Sequence, residues 1–385
     1  MSLAPDGRAL HVIIRVVVGL LSVFLVYGTT IPLVRSAAWW IRILGFPRIQ
    51  IAVLLGLSLV GYTALHLWQG LRPWEYALVA AVGLALVWQL VSIAPYTTFF
   101  PREMADSRTD DHSNRVSLLI YNVLHDNREV SALRELIRET DPDIILLSET
   151  TQWWLDQLDG LEDTYPHTLL QPQENNYGLL LYSRLELQDP EIRFLVDPEV
   201  PSFRARVRLR SETVVTLYGV HPRPPGLRPP DQDGGIKQDA TGDDEDREDS
   251  DMRDAELLLV AKEIAELREM PTIVAGDLND VAWSYTTHRF QRIAGLLDPR
   301  VGRGIINTYH TRNPLLRFPL DHVFASQHFF LVELTRLPDI GSDHFPLLVV
   351  LDYDPDAAAA HEEPRPEAGD HQEADEAIEE GKSDD

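Results

Sequence analysis

At 385 residues the chain exceeds one average domain, and its formal net charge of −26 is spread unevenly, with nine arginines against six acids in residues 1–115, 23 bases against 42 acids in 116–355, and two bases against 12 acids in 356–385. A basic, apolar front end joined to an acidic remainder excludes a single uniform globule, and 44% hydrophobic content excludes a wholly disordered chain. The negative balance disfavours a protein that coats long nucleic acid, and the absence of cysteine excludes disulfides, zinc–thiolate sites, iron–sulfur clusters and cysteine nucleophiles.

Three charge-free apolar stretches at 16–34, 49–71 and 76–101 are 19, 23 and 26 residues long, and a bilayer core needs roughly 20 helical residues. They predict a membrane anchor over 1–104 with transmembrane helices at about 12–34, 49–71 and 76–97, followed by a linker at 105–115. A cleaved signal peptide or buried core helices would not give three such runs in the first hundred residues with nothing comparable later. Trp39, Trp40, Trp68, Trp74, Trp88 and Tyr96 lie mostly near the ends of the runs, where indole and phenol rings prefer the wet boundary. No span contains an internal charge except where Arg15 borders the first, so no ion or proton path is visible, and His66 reads as an interface residue. The chain is thus expected to be multi-pass in the inner (plasma) membrane, with the lipid bilayer as its partner and no obligate protein partner. Arg35, Arg42, Arg48, Arg102, Arg108 and Arg115 fall on one side and Arg8, Arg15 and Arg72 on the other, which by the positive-inside tendency favours a cytoplasmic C-terminal part.

From Val116 the pattern changes to short apolar runs between turns. Val116–Tyr121 reads as a strand, Val130–Glu139 as a helix with Leu133, Leu136 and Ile137 on one face, and Asp143–Leu147 as a strand buried on both sides. Further strands are expected at 178–182, 203–209, 213–219, 272–276, 321–325 and 346–351, with a helix at 254–269. Strands outnumber helices, so sheets packed together with helices outside are expected over 116–355. Asp231–Asp254, with 11 acids and three bases, reads as a disordered acidic insert, and 356–385 as an acidic tail without fixed structure.

Polar residues recur at the ends of these strands: Tyr121-Asn122, Ser148-Glu149, His221, Gly276-Asp277-Leu278-Asn279-Asp280, Leu320-Asp321-His322 and Gly341-Ser342-Asp343-His344. Each alone has a bland reading as a cap or turn. Six in order supply carboxylates, amides and imidazoles without a thiol, the chemistry of a hard divalent ion beside a phosphate.

On these residues, 116–352 resembles the catalytic domain of the endonuclease/exonuclease/phosphatase (DNase I-like) superfamily. The most specific pieces are Gly276-Asp277-Leu278-Asn279 and Ser342-Asp343-His344-Phe345-Pro346. Gly178 to Arg184, Val220-His221-Pro222 and the three spans are similar to a bacterial membrane-anchored branch. The resemblance implies an α/β fold, a four-layer α/β sandwich preceded by three transmembrane helices. It also implies a Mg²⁺- or Mn²⁺-dependent hydrolase in which Glu149 holds the metal with Asn122 and Asp343 close by. Asn279 and His221, with Asn122, would bind the substrate phosphate, Asp277 would position the attacking water or a leaving-group proton, and His344 would be the acid or base oriented by Asp321.

The expected function is a membrane-anchored phosphoesterase acting on phosphodiester or phosphomonoester bonds of a small, lipid or nucleic-acid substrate. A membrane-tethered endonuclease is the alternative within the class, and a catalytically retired binding or scaffold protein the alternative outside it. Retirement is disfavoured because none of Glu149, Asp277, Asn279, Asp321, Asp343 and His344 is replaced. Arg204, Arg206, Arg208 and Arg210 alternate along a strand; a solvated face balanced by acids is preferred there over a phosphate-binding stripe.

Overall fold

The computed structural model describes residues 7–109, 111–227, 247–248 and 250–383. The chain forms two compact units, Met1–Pro95 and Tyr96–Asp385.

The first unit contains three long helices, α1 (Gly7–Thr30), α2 (Arg48–Gln69) and α3 (Pro73–Ile93). Over His11–Leu33, Arg48–Gln69 and Pro73–Tyr96 each is long and apolar enough to cross a membrane. Leu25, Ile51, Leu55, Val82 and Ala85 pack where the helices meet, while Leu20, Val60 and Leu84 are exposed, as expected of faces whose solvent is hydrocarbon. Polar groups within the bundle find one another: Arg15 pairs with Glu75 at 3.1 Å, and Gln89 donates to Thr29 at 3.1 Å.

The second unit is built on two six-stranded mixed sheets. The first contains β1 (Arg115–Asn122), β2 (Ile144–Ser148), β3 (His167–Gln171) and β4 (Leu179–Ser183). The second contains β5 (Leu187–Arg193), β6 (Ser202–Arg208), β7 (Val214–Val220), β8 (Thr272–Asp277), β9 (Leu296–Leu297) and β10 (Asp321–Ser326), and β11 (Phe329–Arg336) and β12 (Leu347–Tyr353) return to the first. The strand orders are β11-β12-β1-β2-β4-β3 and β9-β10-β8-β7-β6-β5. Each sheet has one parallel pair, β1 with β2 and β7 with β8.

Alternation along the strands creates the layers. Val116, Leu118 and Ile120 face Ala205, Leu217, Ile273 and Val323 in a core between the sheets. Leu119, Tyr121, Ile145 and Leu147 turn the other way and pack on α4 (Val130–Thr140) and α5 (Gln152–Gln157) through Leu133, Leu136, Ile137 and Trp154. Tyr218, Val220, Val274 and Phe324 cover the outer face of the second sheet, against α6 (Asp251–Glu266), α7 (Tyr285–Ala294) and α8 (Asp370–Ser383). The fold is therefore a four-layer α/β sandwich, helices outside and two sheets within.

Three expectations change. The tail 356–385 contains α8, which packs Ala374 and Ile378 into the outer core; these lie at i, i+4 spacing, and a side chain at Gly381 would come within 2.6 Å of Ala255, so small residues let the helices approach. Its acids are matched to cations, Asp370 to Arg292 at 2.8 Å and Asp375 to Lys262. Of the insert 231–254, residues 231–246 and 249 lie outside the described residues, but Asp251–Asp254 is the first turn of α6, with Arg253 and Asp254 buried together. The apolar helical segment also ends before the expected residue 104: Met104 is buried in the inter-sheet core, and the expected linker lies along the edge strand β11, Leu331 N donating to Ala105 O at 2.9 Å and Ser107 N to Leu331 O at 2.7 Å.

Candidate active site

The sandwich brings all six polar strand ends to one edge. Parallel pairing aligns the carboxyl ends of β1 and β2, placing Asn122 opposite Ser148 and next to Glu149. It does the same for β7 and β8, so that His221, directly after the end of β7, comes beside Asp277 at the end of β8. The neighbours β10 and β12 run antiparallel and start where those strands end, so Asp321 pairs with Asp277 and His344 precedes β12 beside β1.

Close backbone approach makes this possible. Gly276 has φ +145°, and a Cβ there would lie 1.9 Å from Val220 O, so only glycine lets β8 end against the turn carrying His221. A Cβ at Gly178 would lie 1.7 Å from Thr150 O, beside Glu149. Glu149 itself has φ +57°, left-handed backbone that is unfavourable for such a residue and concentrates at functional sites, and Asn279, at φ +52°, is of a type that tolerates it.

Asn122 is the hub. Its Nδ2 donates to Glu149 Oε1 at 2.8 Å and to Asp277 Oδ2 at 3.0 Å, and its Oδ1 accepts from Leu124 N. The side-chain oxygen is thus held by the backbone while the amide hydrogens orient two carboxylates across the gap between the sheets. Ser342 Oγ donates to Asn122 O at 2.8 Å and accepts from His344 N at 3.0 Å, tying the loop of Asp343 to β1.

His344 lies between Asp321 and Asp277, with Nδ1 2.8 Å from Asp321 Oδ2 and Nε2 3.5 Å from Asp277 Oδ2. Burial alone would lower its pKa, but the two carboxylates outweigh burial and raise it to about 10. The ring is therefore an imidazolium near neutral pH. Burial raises the pKa of Asp277, opposed chiefly by the charge of His344, and burial likewise raises that of Glu149, opposed by His221 and Asn122. His221 Nδ1 lies 3.3 Å from Asp277 O. Asn279 N donates to Asp277 Oδ1 at 2.9 Å, and Asn279 Nδ2 donates to Pro222 O at 2.9 Å.

Beneath these residues a buried network joins Asp280 and His322, which the strand-end motifs contain, to Arg253 and Arg300, for which the sequence carries no simple signal. Arg253 Nη1 donates to Asn279 O at 3.1 Å, and its Nη2 lies 3.6 Å from Asp280 Oδ2. His322 Nε2 donates to Asp280 O at 2.8 Å, which leaves Nδ1 to accept from Arg300 Nη2 at 2.7 Å. Burial and the Arg300 charge hold the His322 pKa well below 6.5, consistent with that neutral tautomer. Arg300 is also paired with Asp298 at 2.7 Å, and Thr308 Oγ1 accepts from Asp321 N at 3.0 Å. The acids, amides and imidazoles at strand ends were readable from the sequence; their supports Arg253, Arg300, Asp298 and Thr308 sit at unrelated positions and are joined by folding. The arginine stripe is no part of the site, for Arg204 pairs with Glu263 at 2.9 Å, Arg206 with Asp189 at 2.5 Å, Arg208 with Glu212 at 3.3 Å and Arg210 with Asp143.

The donor set fits a hard divalent cation. Ligand atoms of Asp277, Asp321 and His344 lie within 4.8 Å of one another, close enough for one ion, although both nitrogens of His344 already face carboxylates. Glu149 and Asp343 are partly exposed oxygen donors, and no thiol exists in the chain. Among the described residues Asp321 Oδ1 is buried without a hydrogen-bond partner, a free oxygen lone pair at the same edge, while Oδ2 of the same carboxylate faces His344.

Among solved structures, the chain is similar to a humanized D. rerio TDP2, at 16% identity, covering 62% of this chain and 100% of that one with a TM-score of 0.48. The human Nocturnin catalytic domain with bound sulfate matches at 17% identity, 66% and 98% coverage and a TM-score of 0.47. An endonuclease/exonuclease/phosphatase family protein from Bacteroides thetaiotaomicron matches at 16%, 62% and 98%, with a TM-score of 0.46. No curated protein matches the chain. Residues 119–344, more than half of the chain, match the Endonuclease/Exonuclease/phosphatase family, and with the two-sheet sandwich and its convergent strand ends the chain belongs to that family.

Proposed function

We propose that the protein is a membrane-anchored, divalent-metal-dependent phosphoesterase that hydrolyses a phosphodiester or phosphomonoester by in-line attack of water. The observation carrying this reading is the convergence of Asn122, Glu149, His221, Asp277, Asn279, Asp321, Asp343 and His344 at one edge of both sheets, with His344 paired to Asp321 at 2.8 Å. Glu149 and Asp343 would hold Mg²⁺ or Mn²⁺, with Asn122 fixing the Glu149 carboxylate. A bound ion would supply charge neutralisation at the phosphate.

The remaining roles fall to the chain's own groups. The His344 imidazolium, raised to about 10 by its two carboxylates, donates to a phosphoryl oxygen or protonates the departing alkoxide. Asp277, whose pKa burial raises, orients the attacking water and accepts its proton as the new P–O bond forms and the ester P–O bond breaks. The second hydrogen of the Asn279 amide and the Nε2 of His221 hold the phosphate. The three apolar helices seat the chain in the inner (plasma) membrane, with the catalytic domain on the cytoplasmic side by the arginine distribution. The test is a panel of phosphomonoesters and phosphodiesters with Mg²⁺ or EDTA: hydrolysis in Mg²⁺ that EDTA abolishes supports the reading, and inactivity towards the whole panel points to a retired site.

A further inference from the structure

The loop that places Tyr309 against His344, with ring centroids 5.0 Å apart, carries an exposed apolar pair at its turn: Leu315 is 75% and Leu316 47% exposed. Arg312 and Arg317 flank the pair. Arg317 and Arg336 lie over the ring of Phe345, next to His344, at 5.1 and 4.5 Å. Their contacts are to backbone carbonyls: Arg312 to Gly341 O at 3.1 Å, Arg317 to Thr311 O at 3.2 Å and Arg336 to Asn307 O at 3.1 Å. Among the described residues none of the three has an acidic partner, whereas Arg204, Arg206 and Arg208 of β6 and Arg210 beyond its end are all matched by acids.

An unmatched cationic rim around exposed leucines, beside a phosphate-handling site in an otherwise acidic domain, has a specific complement. We propose that this lip docks on an anionic phospholipid surface and that, resting on the phosphoesterase reading, the substrate is a phosphoester in the headgroup of a lipid in that surface. Guanidinium groups match lipid phosphates, and the two leucines gain from leaving water for the acyl boundary. The phosphate backbone of a nucleic acid would use the arginines but offers the leucines far less apolar surface than the acyl boundary does, and two leucines are far too small a patch for a stable dimer. Three membrane-spanning helices in the same chain would keep the local concentration of lipid high, so a weak docking surface suffices.

The chain has no cysteine, so Leu315→Cys or Leu316→Cys can each be labelled uniquely. The full chain, carrying an environment-sensitive fluorophore at either position, is reconstituted into phosphatidylcholine vesicles with or without phosphatidylglycerol. The expected result is a blue shift and quenching by acyl-chain spin labels that require phosphatidylglycerol and weaken at least threefold in Arg312→Glu. A probe that stays aqueous at both positions overturns the docking. So does a shift produced by single-stranded oligonucleotide and not by anionic lipid, or one that scales with protein-to-lipid ratio as self-association would. In the activity arm, Leu315→Glu/Leu316→Glu should lower the ratio of vesicle phospholipid hydrolysis to soluble bis(p-nitrophenyl) phosphate hydrolysis at least tenfold; an unchanged ratio overturns the substrate class. If the wild-type chain cleaves neither ester, the phosphoesterase reading and the substrate class fail together, while the fluorescence result decides the docking independently.

Discussion

His344 is a buried imidazole between two carboxylates, and its titration has a direct sign. Its pKa of about 10 in the folded chain exceeds the ordinary 6.5. The stability it contributes is thus present in full below about pH 6.5 and is lost as pH rises through 10. In EDTA the melting-temperature gap between wild type and His344→Gln should narrow steadily over that window; a gap constant with pH would show that the imidazolium is not held as described. Asp321 and His344 act through one hydrogen bond, so in Mg²⁺ the double mutant Asp321→Ala/His344→Ala should be scarcely slower than the worse single mutant, each about 10²-fold or more impaired. Fully multiplicative losses would show that the pair does not act as a unit. Arg253 was invisible as a functional residue because it closes an acidic run in the sequence, yet it is buried against Asn279 O and Asp280. Arg253→Met leaves Asp254 and Asp280 without their cation and should cost about 3–5 kcal/mol of stability by denaturant unfolding.

Doubly buried strands and amphipathic helices were the legible elements. β1, β2 and β8 read as continuous apolar runs because both faces are covered, and α4 showed its single apolar face in Leu133, Leu136 and Ile137. β5 was not legible, since Leu187–Arg193 is mostly exposed and carries Pro190, as an edge strand tolerates. α8 was missed for a different reason: its buried face is built of alanine, one isoleucine and glycine, so charge dominates the composition while small-residue packing and ion pairs fix the helix. Removing residues 370–383 should therefore destabilise the domain by about 2–3 kcal/mol from lost apolar burial, seen as a lower melting temperature. An unchanged melting temperature would mean that the helix contributes nothing to the fold.

At the scale of the molecule, the order of six polar strand ends was the most informative feature of the sequence, because a sandwich with one parallel pair per sheet gathers such ends at one edge. What the sequence could not give was the pairing among them: that Asn122 spans from Glu149 to Asp277, or that Asp277 and Asp321 are register partners, depends on contacts between residues up to 155 positions apart. The net charge is a poor guide to the site for the same reason, since folding matches most arginines to acids and leaves a few at the rim. Whether these carboxylates make a metal-dependent hydrolytic site is decided by turnover of a phosphoester by the full chain as Mg²⁺ is titrated, for wild type and Glu149→Gln. A metal site at Glu149 should give no turnover in EDTA, saturable activation of the wild type, and a requirement for at least about tenfold more Mg²⁺ or a comparable loss of rate in the variant. Equal turnover with and without Mg²⁺, or identical titrations for the two proteins, would contradict it.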